Sequence, residues 1–120
     1  MTDIRWHSPA GADLTGLRGS AVTLDASGNI VTTANPANVL GFLITEGTTG
    51  QQVEIMLLGI TRVVSAGAIA IGDRLTNSGN RKVSTTAGAT DIIVGRALSA
   101  ATGADQYIWA YVSPTGCRRN

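Results

Sequence analysis

The chain of 120 residues is poor in the residues that build most catalytic and covalently linked sites: it has one cysteine and one histidine. Cys117 has no second cysteine to pair with, so no intramolecular disulfide forms, and a reducing cytoplasm is the expected place of synthesis. Cys117 and His7 also supply too few groups for a metal centre or for a cysteine nucleophile with its base. We therefore expect no metal and no cofactor.

Charge is scarce as well, because only 14% of the residues are charged and the formal net charge is +1. The charges are scattered, and the Arg118 and Arg119 pair is more typical of solubilising charge than of a phosphate site. No basic stripe for nucleic acid or for a membrane surface is present. The apolar run VLGFLI at 39–44 is far too short to span a bilayer. The sequence predicts a soluble protein without a nucleic-acid or membrane partner.

Catalytic motifs are missing too. The glycine-rich stretch 95–103 lacks the lysine and the serine or threonine of a phosphate-binding loop, and no serine stands in a nucleophile elbow. The acidic residues stand singly in turns or on polar strand faces. An active site would have to be assembled from acids of neighbouring chains. We predict that the protein is not an enzyme.

Glycine is abundant, with 15 residues, beside many β-branched residues, and this composition favours strands joined by turns. Turn signals separate short apolar alternations, which predicts an all-β fold, a small β-barrel or β-sandwich of short antiparallel strands. No period of about 20 to 50 residues recurs, which argues against a solenoid or propeller. We expect strands at 20–24, 30–33, 39–45, 51–59, 60–64, 65–76, 92–98 and 106–112, and a loop at 83–91.

Turn chemistry and glycines give more local predictions. The stretches DASGN at 25–29 and NSGNRK at 77–82 have the residues of tight hairpins. Gly41, in the middle of an apolar strand, predicts a bulge or a close backbone approach. Gly59 predicts a sharp change of direction between two strands.

The first 19 residues show neither helical nor strand periodicity, which predicts an extended N-terminal arm at 1–19, a β-rich domain at 20–113 and a C-terminal tail at 114–120. An exposed tryptophan generally finds a pocket on its own domain or on a partner. The sequence leaves two possibilities open, that Trp6 packs on its own sheet or that it packs on a partner. On the partner interpretation, the anchors of the arm are Ile4, Trp6, Leu14 and Leu17.

The last strand, QYIWAYV at 106–112, holds three of the five aromatic residues. Alternation turns Tyr107, Trp109 and Tyr111 to one face and three aliphatic side chains to the other. We expect the aliphatic face in the core and the aromatic face against the arm or a neighbouring subunit. A small domain with this much apolar surface is expected to self-associate.

The stretches GFLITEGTTGQQVEIMLLGITRVVSAGAIAIGDRLTNSGNRKVSTT and DIIVGRALSAATGADQYIWAYV, in this order, resemble the capsid cement or head decoration proteins of tailed bacteriophages. The resemblance covers roughly residues 20–113 and consists of a pattern of strands and glycines. It implies a non-enzymatic β-rich protein, made in the host bacterial cytoplasm. The protein would bind the major capsid protein on the exterior of the virion head, commonly as a homotrimer, and stabilise the shell.

An alternative interpretation is a carbohydrate-recognising β-sandwich module. Tyr107, Trp109 and Tyr111 would then form an exposed platform on which sugar rings stack.

Overall fold

The protein is an all-β chain whose strands form one antiparallel sheet. The computed structural model describes residues 3–33, 39–77, 81–85 and 93–113. This confirms the predicted fold class. The strands of these described ranges are β1 (Ile4–Pro9), β2 (Ala21–Leu24), β3 (Ile30–Thr32), β4 (Gly41–Leu43), β5 (Gln52–Val64), β6 (Arg74–Asn77), β7 (Val83–Thr85), β8 (Gly95–Ala97) and β9 (Tyr107–Val112).

Strand β5 lies in the middle of this sheet and connects its two parts, and at 13 residues it is the longest of these strands. Its first part, up to Leu58, pairs with β1 and β4, and its second part, from Gly59, pairs with β9. Gly59 has a φ of 142°, yet the strand continues through it. The prediction of two strands separated at Gly59 is therefore wrong, because one strand runs through both segments.

The sheet consists of two similar halves that share β5. The first half, residues 4–58, has the order β3-β2-β4-β5-β1, and the second half, residues 59–112, has the order β7-β6-β8-β9-β5. Each half curls, since the chain just after its first strand forms a parallel bridge to its outermost strand. These bridges join Ala10 to Ile30 and Ser65 to Val83. The fold is therefore two small barrel-like units arranged in tandem.

The pairing register shows that the halves are equivalent residue by residue. Equivalent pairs recur 53 to 55 positions later: Val22–Gly41 and Leu75–Gly95, Phe42–Met56 and Arg96–Tyr111, Arg5–Met56 and Ile60–Tyr111. Loop hydrogen bonds repeat at the same spacing. The backbone N–H groups of Thr48 and Thr102, for example, donate to Oε1 of Gln51 and Gln106 at 2.8 and 2.9 Å.

Two properties of this duplication prevent its recognition as a repeat in the sequence. Its spacing lies above the period of about 20 to 50 residues that marks solenoids and propellers. The offset between equivalent residues also grows by two positions along the chain. Identical residues such as Gly19 with Gly72 and Gly41 with Gly95 are therefore not separated by one constant number of positions. The backbone pairing is equivalent in the two halves even where the side chains differ.

Each half has an apolar core, and one set of side chains joins the two. The core of the first half contains Leu14, Val22, Ile30, Leu43, Val53 and Ile55. The core of the second half contains the equivalent residues Ile69, Leu75, Val83, Ala97, Ile108 and Ala110. That second cluster also takes in four residues from the outer face of the first half: Ala21, Val39, Phe42 and Met56. Burial of Phe42 and Met56 stabilises the junction by about 1.5–3 kcal/mol for each side chain.

Hydrogen bonds between described residues also cross the junction between the halves. The N–H of Ala21 donates to the carbonyl of Arg81 at 2.9 Å, and the N–H of Val64 donates to the carbonyl of Gly19 at 3.1 Å. The side-chain amide of Asn77 donates to the carbonyl of Thr33 at 3.0 Å. Backbone contacts of this kind fix the relative position of the halves more narrowly than apolar packing alone, because hydrogen bonds depend on geometry.

The N-terminal segment differs from the expected extended arm. Strand β1 pairs along β5, from Ile4 opposite Leu58 to Pro9 opposite Gln52. Leu14 is buried in the first core with 1% of its surface exposed. The predicted boundary at residue 19 therefore does not separate an arm from the domain in the described residues. The segment lacks periodicity because β1 lies at an edge with most of its side chains exposed.

Other local predictions have clear outcomes. The hairpin at 25–29 is present: Asp25 Oδ1 accepts from the N–H groups of Ser27 and Asn29 at 2.9 and 3.0 Å, and Gly28 has a φ of 83°. The expected loop at 83–91 begins instead with strand β7, because Val83–Thr85 pairs with β6. The central residues of the second hairpin, 78–80, and the tail at 114–120 lie outside the described residues.

Gly41 and Gly95 are equivalent positions of close backbone approach, as the sequence predicted for Gly41. A Cβ at either residue would overlap a carbonyl oxygen of the neighbouring strand, that of Met56 or of Tyr111. We expect Gly41→Ala and Gly95→Ala each to lower the free energy of unfolding by about 1–3 kcal/mol, the usual cost of overpacking. Urea denaturation followed by circular dichroism measures this.

The matched control is Gly67→Ala, because a Cβ at Gly67 meets no atom within 4 Å. This variant should keep wild-type stability or gain up to about 1 kcal/mol from the smaller entropy of its unfolded chain. Equal stability of all three variants would contradict the close approach.

Candidate functional site

A cleft of about 370 Å³ lies where the two halves meet. It is lined by three arginines and two aromatic side chains: Arg5, Arg18, Arg62, Tyr107 and Trp109. The arginines come from β1, from the loop before β2 and from the second part of β5, and the aromatic residues come from β9. The cleft thus combines positive charge with flat apolar surface on rigid strands.

The three arginines differ in their partners. Arg5 makes long ion pairs with Asp3 at 3.5 Å and with Glu54 at 3.8 Å, and Arg18 pairs with Glu46 at 3.1 Å. Exposed pairs of this kind contribute at most about 1 kcal/mol each, so these guanidinium groups can exchange partners at little cost.

Arg62 has no ion pair with the described residues. Its guanidinium carbon lies 5.1 Å from the ring centroid of Trp109, in a cation–π contact. The two residues are direct partners in the β5–β9 register. Arg62 therefore keeps its charge available to a ligand while it holds one face of the indole ring.

Strand β9 has the two faces that the sequence predicted. Ile108, Ala110 and Val112 are buried, whereas Tyr107 is 50% exposed and Trp109 is 47% exposed. Tyr111, on the same outward face, is partly buried. The aromatic side chains pair across to β5: Val64 with Tyr107, Arg62 with Trp109, Ile60 with Tyr111. Of these residues, Ile60, Arg62, Tyr107 and Trp109 line the cleft.

The first half shows that the fold does not require these aromatic residues. The positions equivalent to Tyr107 and Trp109 are Gln52 and Glu54, paired across to Pro9 and His7. There the side chains are polar: His7 Nδ1 lies 3.2 Å from Gln52 Oε1. Since the same backbone forms with a polar face, the exposed aromatic face of β9 points to contact with another molecule.

The four predicted anchors of the arm do not lie together. Ile4 and Trp6 are 48% and 51% exposed, and the Trp6 indole N–H donates to Ser8 Oγ at 2.9 Å. Leu14 is buried and Leu17 packs against the first core. The interpretation of Leu14 as an anchor for a partner is therefore corrected, because its side chain is enclosed by its own barrel.

Sequence reasoning missed the arginines of the cleft. Arg62 lies in the stretch ITRVV, where period-2 alternation places it between Ile60 and Val64 on one face, and that signal was available. Arg5 and Arg18 could not have been grouped with it, because only the junction of the halves brings them together.

Within the described ranges, no group of three histidine, cysteine, aspartate or glutamate residues is arranged to hold a metal ion. No helix in this part of the chain is long and apolar enough to cross a membrane. The fold and the cleft define an all-β protein with an exposed aromatic strand face beside a cleft lined by arginines.

Comparisons with known proteins agree with this class. The sequence model of the phage cement protein family matches residues 26–112. The chain therefore belongs to the phage cement protein family, a family of structural phage proteins. Comparison with curated proteins gives no match.

A solved structure has the same fold. It is the N base of the head fiber gp8.5 of bacteriophage phi29, with a TM-score of 0.69 at 16% sequence identity, covering 94% of this chain and 96% of that chain. At this identity the similarity concerns the fold. It extends over the N-terminal segment as well as the β-rich region.

Burial of Leu14 gives a test of the N-terminal segment. Leu14→Ala should lower the free energy of unfolding by about 2–5 kcal/mol, because it removes a fully buried side chain and leaves a cavity. Ile4→Ala, at an exposed position of the same segment, should change it by no more than about 0.5 kcal/mol. Chemical denaturation of both variants decides between a packed segment and a free arm, for which the two losses would be alike and small.

The contact between Arg62 and Trp109 is tested by fluorescence in a Trp6→Phe background. Arg62→Met should raise the acrylamide quenching constant of Trp109, because the guanidinium no longer shields one ring face, and should cost about 0.5–1 kcal/mol of stability. Arg18→Met, in the same cleft but paired with Glu46, is the control and should leave quenching unchanged. Identical quenching in both variants would exclude the shielding.

Proposed function

We propose that this protein binds the outer surface of an assembled phage head through the major capsid protein, as a homotrimer, and stabilises the shell. It is made in the host bacterial cytoplasm and functions on the exterior of the virion. Membership of the phage cement protein family supports the association with a head. The observation that carries the proposal is the exposed aromatic strip of β9, which the equivalent strand of the first half lacks.

The cleft is the surface that we assign to the capsid. Tyr107 and Trp109 supply apolar contact area, and Arg62 supplies a charge without an ion-pair partner among the described residues. Aromatic residues and arginine contribute most of the binding energy in typical protein interfaces. An acidic segment of the capsid protein matches this chemistry.

This assignment exchanges two roles that the sequence suggested, because Tyr107 and Trp109 were expected at a subunit contact and Ile4 and Trp6 at the capsid. In the structure, Tyr107 and Trp109 line a cleft within one chain, whereas Ile4 and Trp6 lie on the edge strand β1.

The mechanism of stabilisation is binding linkage. A protein that binds the assembled shell and not its separated subunits shifts the equilibrium toward the shell. A trimer binds more firmly than its single contacts, since one bound subunit holds the others at high effective concentration. Neither effect requires a catalytic group or a cofactor.

The deciding experiment measures binding of the purified protein to phage heads that lack it. The wild-type protein should bind saturably and raise the temperature at which the heads release DNA. The double variant Tyr107→Ala, Trp109→Ala should bind at least about tenfold more weakly, a loss of about 1.4 kcal/mol.

The duplication supplies the matched control, the double variant Gln52→Ala, Glu54→Ala at the equivalent positions of the first half. It should bind like the wild type. Absence of saturable binding by the wild-type protein would overturn the proposed function, and equal losses in both double variants would overturn the assignment of the cleft. Native mass spectrometry measures the oligomeric state, and a monomer at micromolar concentration would contradict the trimer.

The carbohydrate-binding alternative is less well supported by the geometry. A sugar platform needs a free aromatic face, and the guanidinium of Arg62 lies over one face of Trp109. Wild-type affinity for oligosaccharides in a glycan-binding assay would revive that alternative.

A further inference from the structure

We infer that a second copy of this chain docks its strand β1 on the outer face of the second half, repeating between chains the contact that joins the halves within one chain. The inference rests on the homotrimer of the proposed function and adds the surfaces that build it. Among the described residues, the outer face of the first half is covered, whereas the equivalent face of the second half is not.

The surface that receives the second copy, here called the acceptor face, is the outer face of the second half. In the first half, the equivalent face is buried against the second half through Ala21, Val39, Phe42 and Met56. The residues equivalent to these four line an open cavity of about 320 Å³: Arg74, Ile93, Arg96 and Tyr111. In the first half this face of the backbone thus packs against protein, whereas no described residue covers the equivalent face of the second half.

Two features show that this face lacks its cover. Arg74 and Arg96 are direct cross-strand partners, an unfavourable placement of like charges, and neither makes an ion pair with the described residues. Leu98 is 46% exposed, whereas its equivalent, Ile44, packs against the core of the other half. A second copy that brings apolar side chains and carboxylates would cover Leu98 and neutralise the two arginines.

The element of the second copy that docks, here called the donor edge, is strand β1, which is equivalent to the second part of β5. Trp6 corresponds to Thr61 by pairing register, and Ile4, beyond the register shift between Ile4 and Arg5, corresponds to Gly59 by its position in the strand. Thr61 is 8% exposed at the junction of the halves, whereas Trp6 is 51% exposed. Strand β1 therefore has the position of a covering strand but covers no second sheet among the described residues.

Charge on the donor edge complements the acceptor. Asp3 precedes β1, and its only ion pair with the described residues is a long one with Arg5, at 3.5 Å. Opposite charges across an interface favour correct docking over alternatives. The donor edge and the acceptor face are different surfaces, so the contact is head-to-tail, and a closed ring of three copies is the arrangement that agrees with the proposed homotrimer.

The duplication also predicts one distance between chains. At the offset of 55 positions that relates Arg5 to Ile60 and Met56 to Tyr111, Ile4 corresponds to Gly59 and Leu58 corresponds to Ser113. Gly59 directly follows Leu58 in β5. Consecutive Cα atoms lie about 3.8 Å apart. Ser113 of one copy is therefore expected close to Ile4 of the next.

Cross-linking tests this proximity in a Cys117→Ser background. Ile4→Cys and Ser113→Cys are made as separate single variants and treated with a short bis-maleimide. Mixed and reassembled, the two variants should give a covalent dimer, whereas each variant alone should give none. The chain carrying both cysteines should give a ladder up to the trimer.

Thr49→Cys replaces Ile4→Cys in the matched control, since Thr49 is exposed in a loop outside β1. No cross-link between Ile4→Cys and Ser113→Cys in a protein shown to be trimeric would overturn the inference, as would a cross-link of equal yield with Thr49→Cys. Cross-linking of either single variant with itself would indicate a two-fold contact and would also overturn it.

A second readout uses Trp6→Thr, which places at β1 the residue of the equivalent position in β5. The trimer should dissociate at a concentration at least about tenfold higher than the wild type, with the unfolding midpoint of the monomer unchanged. Unchanged trimer affinity would count against the inference. Head binding without the cross-link refutes the inference alone, and the cross-link without head binding refutes the proposed function alone.

Discussion

The continuity of strand β5 through Gly59 is the constraint on which the rest of the molecule depends. Its first part completes one barrel-like half and its second part begins the other, so the two halves cannot separate without breaking a strand. Burial of Phe42 and Met56 beside it turns a covalent connection into a packed junction. The cleft with its arginines and aromatic residues exists only because this junction holds both walls in place.

Because the fold is duplicated, equivalent positions of the two halves show which residues the fold requires and which it does not. Where both halves have equivalent apolar residues, as at Leu14 and Ile69, the fold itself explains them. Where they differ, as at Glu54 and Trp109, the backbone tolerates both side chains, and another requirement must have selected one of them. Exposed residues that differ between the halves lie in the cleft and on the edge strand β1.

The sequence predicted the fold class well, because strand alternation and turn chemistry are local signals. The hairpin at 25–29, the close approach at Gly41 and the buried face of β9 all follow from neighbouring residues. The predictions that failed depended on long-range pairing. Strand β1 looked like an arm because an edge strand with exposed side chains carries no alternation, and β5 looked like two strands because Gly59 is usually a break.

The candidate site was predicted in part for the same reason. The outward face of Tyr107, Trp109 and Tyr111 was visible in the sequence, since alternation along one strand defines it. The cleft was not, because Arg5 and Arg18 reach Arg62 only across the junction. Residue-level equivalence of the halves was hidden, since pairing register, rather than side-chain identity, carries it.

The shared strand also has a consequence for the order of events during synthesis on the ribosome. The pairings of the first half all lie within residues 4–58, so this half can form while the second is still being translated. Until the second half arrives, however, Phe42 and Met56 remain open to water on its outer face. Partly made chains with such a surface are prone to associate with one another. Rapid docking of the second half is thus a requirement for yield as well as for stability.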